Sequence, residues 1–144
     1  MIISDNNKKI IMEEYYKWFE HQYGNTTKAE RKKLGAIFTP PEVSIKALEL
    51  FDTLEGRTVL DPCCGTGNLL AAAILAGADP NKVYGNEINE EFVELCQERL
   101  EKLGVPRWHI HQGDALDIGC VEISSFSPDY VYKENKKLNL WEDA

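Results

Sequence analysis

The sequence holds no apolar run approaching the ~18 residues a membrane-spanning helix needs, and its first ten residues, MIISDNNKKI, contain no signal-peptide hydrophobic region. A cytoplasmic location is the expectation. Positive charge is also scarce. Lys and Arg number 16 against 24 Asp and Glu, a formal net charge of −8. That balance works against tight nucleic-acid binding by the chain alone, because neutralising phosphates takes cations. The four cysteines, Cys63, Cys64, Cys96 and Cys120, form no C-x-x-C pair. Adjacent Cys63 and Cys64 make a poor start to a zinc site, so reduced cysteines and no metal are expected, in keeping with a reducing compartment. Internal repeats and low-complexity segments are absent too.

What is present suffices for one domain with a real core. The charge is unevenly spread. Residues 1–40 carry seven basic and five acidic side chains, whereas residues 41–144 carry nine and nineteen. Any nucleic-acid contact would favour the N-terminal segment, above all Lys28, Arg31, Lys32 and Lys33, although a solvated helix face explains those four as well. Along the chain, residues 7–22 place Ile10, Ile11, Tyr15, Trp18 and Phe19 on one helical face. A second short helix, with a Thr N-cap, is predicted to end at Gly35, and a third to begin at the Pro40-Pro41 pair and span about 41–52. From there strands alternate with helices: RTVLDP, then GNLLAAAILAGA, KVYGNE, NEEFVELCQERLEKLG, WHIHQGD and, near residue 130, DYVY. This alternation predicts an open α/β sheet of parallel strands with helices on both faces.

The turn in VLDPCCGTGNLL follows the first of these strands, the place where such sheets bind ligands. Gly65 and Gly67 are followed by Leu70 rather than a third glycine, and no G-K-[ST] follows. Both the dinucleotide fingerprint and the phosphate loop are therefore incomplete. Asp61 at the strand's end would repel a phosphate and suits a cationic group. Glu87 closes the second strand, where a carboxylate accepts hydrogen bonds from ribose hydroxyls. Asp114 closes the third, placed for the amino group of an adenine, with Ile88 able to pack on the ring. Three acids at successive strand ends describe a nucleoside with a positively charged tail and no phosphate, a description S-adenosylmethionine fits. Asp61 or Asp114 alone also reads as an ordinary N-cap.

The ordered segments FTPPEV, VLDPCCGTGNLL, VYGNEIN and HQGDAL fall within residues 35–116 and resemble the adenine-specific DNA methyltransferases, in particular the modification subunits of type I restriction systems. The resemblance implies a Rossmann-like fold with a truncated parallel sheet of about four strands behind N-terminal helices. It divides the chain into a helical segment (1–35), a cofactor domain (36–132) and a polar tail (133–144). It implies that Phe38, Thr39 and Pro40 line the methionine end of S-adenosylmethionine. Asp61, Cys63, Gly65, Thr66, Gly67 and Asn68 would form the turn around it, Glu87 would hold the ribose, and Asp114 with Ala115 the adenine. Cys63 and Cys64 are then walls rather than nucleophiles.

Members of that family carry [DNS]-P-P-[YFW] after the fourth strand, where polar acceptors and an aromatic ring hold a flipped adenine. Here Tyr130 and Asn135 are the weak counterparts, and Lys136 and Lys137 stand in place of the prolines. The family's sheet has seven strands against four here. The expectation is a cofactor half whose catalytic half is missing or degenerate. Two functions follow: an adenine methyltransferase completed by a partner chain that adds to the sheet and brings DNA, or a cofactor-binding module that senses, sequesters or consumes S-adenosylmethionine. An inactive truncated methyltransferase is the simplest variant.

Overall fold

The computed structural model describes residues 1–116 and 130–131. Helix α1 (Asp5–Tyr23) starts at Ser4, whose hydroxyl accepts from the Asn7 amide at 3.1 Å. Thr27 does the same for α2 (Lys28–Ile37), accepting from the Glu30 amide at 3.1 Å. Each satisfies a first-turn amide that has no carbonyl of its own. On α1, Ile11 and Tyr15 are buried, but Ile10 faces outward at 38% exposure, one step off the expected stripe. Helix α2 runs two residues past Gly35, which keeps ordinary negative φ and ends nothing. The stop comes from Pro40, because the residue before a proline is pushed out of helical conformation. Pro40 then caps α3 (Pro41–Glu49), with Pro41 in its first turn.

The alternating part begins at β1 (Val59–Asp61) and continues through α4 (Asn68–Leu75), β2 (Val83–Glu87), α5 (Glu90–Glu101) and β3 (Ile110–Gln112) to β4 (Tyr130–Val131). Trp108 and His109, expected on the third strand, instead form a short 3-10 turn ahead of β3. The four strands are all parallel and lie in the order β3-β2-β1-β4. Tyr130 pairs with Val59, two residues short of the strand end where Asp61 stands. Asn135, Lys136, Lys137, Cys120 and the tail lie outside the described residues.

The registers assign the sheet's faces. Val59 pairs with Val83, and Gly85 with Ile110. Since side chains alternate along a strand, Val59, Asp61, Val83, Gly85, Glu87 and Ile110 share one face. That face meets Leu70 and the alanines of α4 and Val93, Cys96 and Leu100 of α5, which together form the core. Leu60 and Tyr84 point the other way. The alternation of strands and helices predicts helices on both faces; among the described residues α4 and α5 lie on the same one. Helices α4 and α5 both pack on β2 and touch each other, and α1 and α3 lie against α4. The order explains it. Stepping from β1 to β2 to β3 in one direction with right-handed crossovers deposits both connecting helices on the same side.

Candidate cofactor-binding site

The β1–α4 turn is built from two glycines that do different work. Gly65 has φ 57° and Gly67 φ 89°, a region where side chains are strained. A Cβ on Gly65 would meet nothing within 4 Å, so its backbone faces open space. A Cβ on Gly67 would lie 3.0 Å from the Cys96 sulfur and 3.4 Å from Leu100. Gly67 therefore lets α4 close on α5.

Gly65 lines a cavity of about 250 Å³ at the ends of β1 and β2. Of the residues singled out in the sequence, Phe38, Thr39, Asp61, Cys63, Thr66, Asn68 and Glu87 also line it, as does Cys64. Pro40, Gly67, Ile88, Asp114 and Ala115 do not. Ile88 is 65% exposed, and the exposed Asp114 accepts from the Leu116 amide at 2.9 Å, closing its own turn. The cavity's volume lies just under the ~300 Å³ at which small-molecule pockets begin. Sequence reasoning missed Ile37, Val43, Ala47, Leu69 and Phe92, which give the cavity its apolar wall. Phe92 stands on the α5 stripe and packs edge-on against Phe38, ring centroids 5.9 Å apart.

The polar groups are anchored by backbone. Asp61 is 5% exposed and accepts from the Cys63 amide at 3.1 Å. The Glu87 carboxylate accepts from the Gly65 amide at 3.0 Å through Oε1 and from the Asn89 amide at 2.8 Å through Oε2. It thus clasps the β1 turn to the end of β2 and still has lone pairs to offer. The Thr66 hydroxyl is buried with no partner among the described residues. Below the turn, the Cys64 and Cys96 sulfurs lie 3.9 Å apart. Their hydrogen bond and burial push the Cys64 thiol well above its ordinary pKa, so it is no nucleophile.

A second set of residues went unseen in the sequence. Arg99 of α5, its side chain 4% exposed, forks onto Glu14 of α1, with Nε to Oε1 at 2.6 Å and Nη2 to Oε2 at 2.8 Å. Its Nη1 donates to Asn68 Oδ1 at 2.5 Å, and the guanidinium lies 4.3 Å over the Trp18 ring. One signal was available. Arg99 sits three residues after Cys96 and seven after Phe92, on the apolar stripe of α5, where an unpaired cation would not stand. Asn86 is equally hidden, its amide bridging the carbonyls of Pro62 and Gly113 at 3.1 and 3.0 Å.

Among the described residues no three His, Cys, Asp or Glu side chains gather as metal ligands, and no helix is long and apolar enough to cross a membrane. Comparison with known proteins identifies relatives. The chain is 38% identical over 91 residues to the type II methyltransferase M.VspI of Vibrio sp. (strain 343), covering 60% of this chain and 22% of that one. It is 38% identical over 92 residues to a tRNA (guanine(10)-N2)-dimethyltransferase of Pyrococcus abyssi, covering 63% and 26%. With the type I restriction enzyme MjaVIII methylase subunit of Methanocaldococcus jannaschii it shares 33% over 89 residues, covering 60% and 15%. The chain thus spans about a quarter or less of these relatives' length. The profile of the N-6 DNA Methylase family matches residues 7–126, a stretch that contains every residue lining the cavity, and the chain belongs to that family.

Proposed function

We propose that this chain binds S-adenosylmethionine in the cavity at the ends of β1 and β2. Completed by an acceptor-binding segment or partner, it serves methyl transfer to the exocyclic amine of adenine in DNA. The observation that carries the reading is the placement of Asp61 and Glu87 on one face of neighbouring strands, with the open backbone of Gly65 between them. The residues fit the group. Buried Asp61 suits an ammonium, and Glu87 retains acceptors for ribose hydroxyls. The buried Thr66 hydroxyl has bonding capacity unused among the described residues, and Phe38 with Phe92 shields one wall from water. Ile88, Asp114 and Ala115 lie toward β3, where they would receive the adenine. When bound, the cofactor supplies an electrophilic methyl group on sulfur.

DNA and partner chains belong to the same proposal. Lys28, Arg31, Lys32 and Lys33 are exposed on α2, the helix that leads into Ile37 and Phe38 at the cavity. Arg31 is only loosely engaged by exposed Glu20 at 3.8 Å, a pair worth little in water. The second reading, a module that holds the cofactor without transferring its methyl group, is favoured by one observation. None of the 144 residues forms a [DNS]-P-P-[YFW] motif. Calorimetry with S-adenosylmethionine and S-adenosylhomocysteine tests the shared part, and absence of heat with both would end it. Labelled methyl transfer to adenine-rich DNA separates the two readings. The isolated chain is expected to bind without labelling, and robust labelling would assign the whole activity to these residues.

A further inference from the structure

The sequence motifs do not explain why the turn of a cofactor site is tied to the first helix of the chain. Arg99 makes that tie, and it has a chemical consequence at Asn68. A guanidinium has donors only, so the end of the Asn68 amide that faces Nη1 at 2.5 Å is its oxygen. Arg99 is itself held by the two-point contact with Glu14 and by the Trp18 ring beneath it. The amide therefore has one orientation. Its Oδ1 is engaged, and its Nδ2 is left to donate on the residue's other side, while Asn68 lines the cavity.

Helix α4 adds to this. Asn68 is its first residue, and its N-cap, Gly67, supplies no side-chain acceptor, so the first-turn amides retain partial positive charge. Asp61, on the same cavity, claims the cationic end of an amino-acid tail. A carboxylate on the same carbon as that ammonium would fall to nearby donors.

We infer that Arg99, braced by Glu14, is a positioning residue that fixes the Asn68 amide so that Nδ2 and the first turn of α4 receive the carboxylate of the cofactor's methionine tail. This inference deepens the cofactor reading and rests on it.

The test separates orientation from stability by moving them in opposite directions. In Asn68→Asp a carboxylate still accepts from Arg99, and the ion pair holds the turn, but the Nδ2 donor becomes an acceptor. The thermal midpoint is expected to stay or rise. Affinity for S-adenosylhomocysteine should fall by about tenfold, the scale of a lost charge-assisted hydrogen bond. Affinity for 5′-methylthioadenosine, which lacks the amino-acid tail, should not change. Glu14→Gln and Arg99→Lys should weaken S-adenosylhomocysteine in the same selective way, although Glu14 does not line the cavity. If both nucleosides weaken equally, or if the midpoint falls while S-adenosylhomocysteine affinity holds, Arg99 is a structural brace and the inference fails. If the unaltered protein binds neither nucleoside, the cofactor reading fails on its own. Hydrogen exchange then decides whether Arg99 positions the turn. Faster exchange at the amides of residues 66–69 in Glu14→Gln, with none at Val83–Glu87, supports it, and equal exchange overturns it.

Discussion

The ends of β1 and β2 and the end of β3 belong to one small sheet but differ in kind. At the first, Asp61 and Thr66 are buried, Glu87 is clasped to the Gly65 amide, and aromatic rings close a wall around about 250 Å³. At the second, Ile88, Asp114 and Leu116 are exposed, and the Asp114 carboxylate closes its own turn. A ligand reaching across both would find one half organised in advance and the other formed around it. Pre-organised groups give more affinity per contact, because ordering them costs nothing at the moment of binding. On the proposed function, the methionine and ribose end dominates affinity and the adenine end contributes less.

The sharpest way to break that contrast is Gly65→Ala. A methyl group there projects into the open space beside the cavity, and binding of S-adenosylhomocysteine should fall by roughly a hundredfold or more in calorimetry, since a filled approach cannot be relieved by rotamer change. Asp61→Ala and Glu87→Ala come next, each weakening the ligand by about 1.5–3 kcal/mol, the scale of a hydrogen bond to a charged group. Unchanged affinity in both would move the site elsewhere. Gly67→Ala is the matched partner of the first variant. It carries the same left-handed strain, about 1–2 kcal/mol, and meets Cys96 at 3.0 Å. Denaturant unfolding should record the loss, while ligand affinity changes little. Asp114→Ala should shift affinity by no more than about threefold, as befits an exposed partner. A loss equal to that of Asp61→Ala would show the β3 end to be as organised as the other.

The smallest effect lies on the sheet's opposite side. His109 stacks on Tyr84 with ring centroids 4.1 Å apart, and burial holds its imidazole below the ordinary value, offset in part by the Val83 carbonyl at 2.9 Å from Nδ1. The unfolded chain then takes up the proton more readily than the folded one. The contribution is complete above pH ~6.5 and is lost as pH falls through that value toward the lowered folded pKa. His109→Gln should therefore make the acid limb of a stability–pH curve shallower and leave the neutral plateau almost in place.

Much of the β1–α4–β2–α5–β3 succession was legible because each element has a strong apolar period and its own stop. The cavity's acids were legible because strand ends are countable positions. Other features depend on partners distant in sequence. Nothing near Gly67 distinguishes it from Gly65; the difference is made by Cys96 and Leu100, some thirty residues on. Glu14 and Arg99 lie 85 positions apart, and only the odd cation on an apolar stripe hinted that a partner existed. The stop of α2 lies ahead of Pro40 and not at Gly35, because a glycine can stay within a helix whereas a proline disfavours helix at the residue before it. The one-sided helix layer follows from strand order, which local pattern does not reveal.

The Glu14–Arg99 fork also carries a kinetic consequence. Helix α1 leaves the ribosome before α5, and its buried partner arrives only when α5 has been made, so the contact has high sequence separation and a large loop-closure cost. Until then Trp18 lacks the guanidinium over its ring and Phe38 lacks Phe92, and the nascent segment presents aromatic surface to chaperones and to other chains. Docking of α1 is then expected to form late on the refolding pathway, with Glu14→Gln accelerating unfolding far more than it slows folding.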